Sequence, residues 1–177
     1  MNYKIMKHIF TILAACTLAA TLSVSPAAAQ KKSGVDTSKS LKCLEVELNG
    51  PDGKALKLSD VYKSNKYTLI DFWASWCGPC MGEVPYLVDA YAQYHSKGFE
   101  IYGISLDREK DSWTSAISRY KMDWKHVSDL QFWNCAAARA YNINSIPANY
   151  LVDSKGTIVA RNLRGTALAE TLSKLLK

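Results

Sequence analysis

The chain has 177 residues and a net charge of +6, from 22 Lys and Arg against 16 Asp and Glu, with both signs interspersed. So mild and unclustered an excess describes a solvated surface, and nucleic acid is not indicated as a partner. The length suits one domain with a proper core and is short for two ordinary ones.

The first segment is set aside from the fold. Lys4 and Lys7 precede an apolar run from Ile9 to Leu22, and small residues follow, ending in Ala27, Ala28 and Ala29 before Gln30. A basic start, a short apolar middle and an A-x-A site predict a secretory signal peptide over residues 1–29. The run falls short of the ~20 residues that a membrane-spanning helix needs. Leu13-Ala14-Ala15-Cys16 also fits a lipoprotein signal, in which Cys16 becomes the lipidated first residue. That is the weaker reading, because the mature chain would then start with another apolar stretch. The expected destination is the periplasm.

Residues 30–40 are polar and read as a tether, and residues 41–177 as the domain. Leu44, Val46 and Leu48 alternate with Glu45 and Glu47, which predicts a half-buried strand. The turn cluster Asn49-Gly50-Pro51-Asp52-Gly53 precedes a second short strand over Ala55 to Leu58, so a hairpin is expected. Tyr67 to Ala74 is nearly continuous apolar sequence, as in a strand buried on both faces, with Asp71 its one charge. A helix runs from the following turn to about Lys97, where Gly98 takes the C-cap position. Phe99 to Leu106 is the next buried strand and Asp111 to Tyr120 the next helix. Asn134 is expected to cap a short helix, Cys135 to Tyr141. Ala148 to Val152 and Thr157 to Ala160 form a hairpin, and Thr166 to Leu176 an amphipathic final helix. Alternating strands and helices indicate an α/β domain with an early parallel crossover and a mixed sheet.

Loss of Cys16 leaves Cys43, Cys77, Cys80 and Cys135. Cys77 and Cys80 lie two residues apart in "WASWCGPCMGEVP", where a buried strand becomes a helix. A thiolate at a helix N-terminus is stabilised by the dipole and by free backbone N–H groups. Cys77 precedes the helix and gains most of this, while Cys80, inside the first turn, is more shielded. One nucleophile and one resolving thiol are what exchange through a mixed disulfide requires. A zinc site needs two further ligands, whereas His95 and His126 are each isolated in sequence. A structural disulfide closing so small a loop constrains the unfolded chain little.

The residues "DFWASWCGPC" resemble the active-site strand and turn of thioredoxins. Pro85 matches the helix proline of that family, and "SIPANYLVD" resembles its cis-proline loop and following strand. The N-terminal hairpin and "CMGEVP" are similar to the envelope TlpA/ResA-like branch. The resemblance covers Leu41 to Lys177 and implies a thioredoxin-like three-layer fold, a central mixed β-sheet flanked by helices, with an N-terminal β-hairpin extension. It also implies roles. Cys77 attacks a protein disulfide and Cys80 resolves the mixed disulfide. Asp71 is the buried base serving Cys80, its pKa raised by desolvation, against the alternative of a strand-end carboxylate reaching solvent. Glu83 matches a glutamate near the dithiol, against the alternative of a solvated helix residue. Ile146 and a cis Pro147 bind substrate backbone, with Trp76, Gly78 and Pro79 on the surrounding rim. Trp113, Trp124 and Trp133 read as packing.

Gly78-Pro79 resembles the dipeptide of the reducing members, near about −270 mV against about −120 mV for DsbA. The activity implied by the resemblance is reduction of protein disulfides, and the service it implies is cytochrome c maturation. The partners implied are protein disulfide substrates and a membrane thiol-electron donor. No cofactor beyond the Cys77–Cys80 couple, no metal and a monomeric state are expected. A thiol peroxidase and a non-catalytic metal-binding or chaperone module are the alternatives. Two features depart from the family: Met81-Gly82 stands where a basic residue is common, and Cys43 and Cys135 lie outside the dithiol motif. They could pair, stay free, or leave Cys135 as a second reactive thiol.

Overall fold

Two apolar runs of seven residues build the centre of the fold because neither offers a polar face to water. The computed structural model describes residues 41–177, and the signal peptide, the tether and Cys16 lie outside the described residues. The elements are β1 (Glu47–Asn49), β2 (Ala55–Lys57), α1 (Leu58–Lys63), β3 (Tyr67–Trp73), α2 (Gly78–Tyr94) and β4 (Phe99–Ser105). They continue as α3 (Lys110–Arg119), β5 (Lys125–Ser128), α4 (Ala136–Ala140), β6 (Ala148–Asp153), β7 (Ile158–Arg161) and α5 (Ala167–Leu175).

The strands form one mixed sheet of order β2-β1-β5-β4-β3-β6-β7, with helices packed on it. This is the thioredoxin-like arrangement, with the N-terminal hairpin added at one edge. β3, β4 and β5 run parallel, and β6 is antiparallel to β3. The register sets Asp71 between Gly103 on β4 and Asn149 on β6. Phe72 pairs with Ala148, so Pro147 lies at the end of the sheet where the chain leaves β3 for the cysteines.

Two local expectations are corrected and one strand is added. Leu58 starts α1 instead of ending a strand, and it is fully buried. β5 was not legible, because Lys-His-Val-Ser carries a single aliphatic residue. The sheet accepts it by burying His126 and Ser128, whose side chains bond to the carbonyls of Met122 and Ser105. Asn134 does not cap α4. The N-cap is Cys135, and the carboxylate of Asp129 accepts the Ala136 N–H at 2.8 Å instead. α2 passes into a single 3₁₀ turn, and Gly98 closes it at φ 99°, a left-handed conformation that glycine adopts without penalty.

Gly103 has a separate reason to lack a side chain. A Cβ there would lie 3.0 Å from His126 Nδ1, 3.2 Å from Trp73 Nε1 and 3.3 Å from Trp124 Nε1. All three belong to rigid buried rings. Gly103→Ala is therefore expected to cost about 1–3 kcal/mol, the usual cost of overpacking. A urea titration reads this as a lowered midpoint with unchanged slope, and a wild-type midpoint would show that the rings have slack.

Candidate active site

The turn between β3 and α2 carries the cysteines, and buried hydrogen bonds hold it from below. The Leu106 N–H donates to the Trp73 carbonyl at 2.8 Å. One residue on, the buried carboxylate of Asp107 accepts the Ser75 N–H at 3.1 Å and the Ser75 hydroxyl at 2.6 Å, while Ser105 donates to it at 2.7 Å. The ends of the two central strands are thus tied together immediately before Trp76 and Cys77.

Cys77 is the N-cap of α2 and is disulfide-bonded to Cys80. Its sulfur accepts the Cys80 N–H at 3.1 Å, so one otherwise unpaired helix amide is aimed at Cys77. The expected contrast in shielding is slight in this oxidised form, with Cys77 5% and Cys80 3% exposed. The asymmetry that remains lies in the capping bond. Gly78 and Pro79 are exposed above the disulfide, and the first turn of α2 contains no carboxylate. Met81 packs on the core, and nothing in the structure explains Gly82, where a Cβ would meet open space.

Asp71 does not reach solvent. It is 4% exposed, and burial pushes its carboxyl up to about 7, a rise that Arg164 opposes and Glu83 reinforces. Glu83 is half-buried, and its carboxylate accepts the Gly165 N–H at 2.8 Å, so it is not simply a solvated helix residue. The Ile146–Pro147 bond is cis, and both residues are half-buried at the start of β6. Trp76 is 47% exposed and lies against Phe132 at 5.0 Å and Trp133 at 6.2 Å between ring centroids. Trp113 and Trp124 are packing residues, whereas Trp133 belongs to this rim.

Cys43 and Cys135 are free. Cys135 is fully buried, and desolvation pushes its thiol up to about 11, which argues against a second reactive cysteine. No group of three or more candidate metal ligands occurs among the described residues. Sequence reading missed Asp107, Asn149, Phe132 and Arg164. Asp107 alone had a signal, since it follows a buried parallel strand at the carboxyl end where sites collect in open α/β sheets.

The AhpC/TSA family pattern matches residues 41–161. The chain belongs to that family. It is 34% identical over 107 residues to the thiol-disulfide oxidoreductase ResA of Oceanobacillus iheyensis, a match covering 60% of this chain and 53% of the relative. The chain thus spans about half the length of that relative. Among solved structures, the thioredoxin domain of a Bacteroides vulgatus thiol-disulfide oxidoreductase superposes with a TM-score of 0.72 at 34% identity. That superposition covers 78% of this chain and 97% of the domain. A thiol:disulfide interchange protein from Bacteroides sp. gives 0.71 at 34% identity, covering 78% and 90%. These likenesses agree with the ResA-like, thioredoxin-fold resemblance read from the sequence.

The buried carboxyl has a measurable consequence. Its folded pKa of about 7 exceeds the usual 3.8, so the folded state holds the proton more tightly between those values. Asp71 therefore lowers stability progressively as pH rises from about 4 to 7, and the loss is complete above 7. At 1.36 kcal/mol per unit this amounts to on the order of 4 kcal/mol. Buried His126, lowered by desolvation from 6.5 to about 4, has the opposite slope and loses stability as pH falls through that window. The difference between Asp71→Asn and wild type isolates the carboxyl. Urea midpoints of the variant should gain on wild type from about pH 4 to pH 7 and level off above, and a pH-independent difference would contradict the assignment.

Proposed function

We propose that this protein is a thiol–disulfide oxidoreductase of the bacterial envelope that reduces protein disulfides through Cys77 and Cys80. The observation that carries the proposal is the disulfide at the N-terminus of α2, with Cys77 as its cap. In the reduced form the Cys77 thiolate is stabilised by the Cys80 amide and the helix dipole, with no nearby carboxylate in that turn to oppose it. The thiolate attacks one sulfur of a substrate disulfide, forming a mixed disulfide and releasing the other sulfur as a thiol. Cys80 then loses its proton, attacks the Cys77 sulfur, and releases the second substrate thiol. Two electrons have moved to the substrate, and the Cys77–Cys80 bond has formed.

Asp71 takes the Cys80 proton. A carboxyl poised at about 7 suits this task near neutral pH, being basic enough to accept a proton and deprotonated often enough to do so. Glu83 contributes to the same site through its influence on Asp71. Ile146 and Pro147 offer backbone to the substrate chain, and Trp76, Gly78 and Pro79 form the surface it meets. A membrane thiol-electron donor would recharge the couple, and the protein would act as a monomer.

The signal-peptide pattern over 1–29 supports a periplasmic location for a domain spanning 41–177, with a lipoprotein anchored through Cys16 the weaker alternative. Service in cytochrome c maturation, by keeping haem-attachment cysteines reduced, rests on the ResA-like resemblance.

Insulin reduction by dithiothreitol tests the activity. Wild type should accelerate precipitation of the insulin chains, and Cys77→Ser should leave it at the background rate. Equal rates for the two would sink the reductase assignment, and turnover of hydrogen peroxide by wild type would favour a thiol peroxidase. Cys80→Ala should accumulate mixed disulfides with envelope proteins that dithiothreitol releases. The substrates are then read from the trapped partners.

A further inference from the structure

The loop between β7 and α5 is fastened to the sheet and to α2 more firmly than its surface position requires. Asn149, buried on β6, accepts the Leu163 N–H and donates to the Leu163 carbonyl, each at 2.9 Å. The Asn162 N–H donates to the Asn149 carbonyl at 2.8 Å. On the other side of Arg164, the Gly165 N–H is taken by Glu83 on α2. Arg164 therefore projects from a short segment pinned at both ends.

Its guanidinium reaches back into the site. One terminal nitrogen donates to the Leu163 carbonyl at 2.8 Å and the other to the carbonyl of Pro147. A planar fork with several donors can serve two carbonyls at once, which a lysine ammonium on a flexible stem does less well. Asn149 pairs with Asp71 across β3 and β6, and directly paired residues present their side chains on one face of the sheet. The arginine loop is thus anchored on the immediate neighbour of the buried carboxyl. Arg164 and Glu83 are the two charged groups acting on Asp71, with opposite signs.

We propose that Arg164 is a positioning residue for disulfide exchange: it fixes the Pro147 carbonyl, and with it the substrate-binding loop, while setting a cation opposite Asp71. This rests on the thiol–disulfide reading of the Cys77–Cys80 site. One side chain then couples the loop that receives the substrate to the carboxyl that accepts the resolving proton. The coupling is arranged through Glu83 and Asn149, which determine where Arg164 starts.

The two roles separate by substitution. Arg164→Gln removes the charge, so the Asp71 carboxyl should titrate higher, by roughly one pH unit for the loss of a nearby opposite charge. Arg164→Lys keeps the charge and should leave that titration near wild type. Both variants lose the fork, so both should raise KM for insulin more than they lower kcat. Glu83→Gln should move the Asp71 titration the other way.

The titration is followed by carbon-13 NMR of the aspartate carboxyl in the oxidised protein, which needs no turnover, and KM by insulin reduction. An Asp71 titration in Arg164→Gln that matches wild type overturns the proposal, as does a wild-type KM in Arg164→Lys. The lysine variant carries the test if the glutamine variant does not fold. Failure of the wild-type chain to reduce insulin would instead refute the reductase reading, while the NMR titration would still report the link between Arg164 and Asp71.

Discussion

A carboxyl group held inside the central strand is the constraint around which the site is arranged. Asp71 occupies the middle of β3 with Gly103 on one side and Asn149 on the other, between Ile70 and Phe72, which are fully buried. Burying an ionisable group disfavours its charged form, and the folded chain loses stability wherever that charge is forced on it. Arg164 and Glu83 offset one another at this carboxyl, and burial prevails, leaving it near neutrality in its titration. The position is costly to folding, and the proton transfer proposed for Asp71 draws on the same raised pKa.

Rigidity elsewhere makes so tuned a group usable. Trp73, Phe72, Tyr102 and Ile104 are buried beneath the turn, and the Asp107 carboxylate locks Ser75 two residues ahead of Cys77. α2 then starts at a fixed place, so the free amide of Cys80 in its first turn meets the Cys77 sulfur. On the other flank, the loop after β7 closes over the start of β6 through Asn149, Glu83 and Arg164. Dithiol, carboxyl and cis-proline loop are therefore brought to one end of the sheet by separate devices, each made of buried or half-buried hydrogen bonds.

Much of this was legible because it is written locally. Tyr67 to Ala74 is apolar enough to declare a buried strand, and one aspartate in such a run declares an unusual carboxyl. The cysteine spacing, placed where that strand meets a helix, declares a thiolate site. What escaped notice is non-local. β5 hides its nature by burying a histidine and a serine, and the serine's partner is the Ser105 carbonyl at the end of β4. Trp133 reads as packing until the fold sets it beside Trp76. Arg164 is one basic residue in a polar stretch, and its meaning depends on a carbonyl 17 positions earlier in the chain. No period or composition encodes such closures.

The missing cation beside the dithiol bears on how reactivity is distributed among four cysteines. With methionine and glycine after Cys80, stabilisation of a Cys77 thiolate falls to the helix terminus, whose effect is confined to the first turn. Cys135 also caps a helix, yet α4 has only five residues and the thiol is entombed, so burial outweighs any help from the dipole. Cys43 is likewise raised by burial and by the nearby Glu45 carboxylate. Exchange rates follow the thiolate fraction and access, so both free thiols are poor partners for disulfides near neutral pH. The same physics that lifts the Asp71 carboxyl towards neutrality keeps Cys43 and Cys135 protonated. Desolvation thus lifts the Asp71 carboxyl towards neutrality and silences the two surplus thiols, leaving the pair under the exposed Gly78-Pro79 turn as the candidate for exchange.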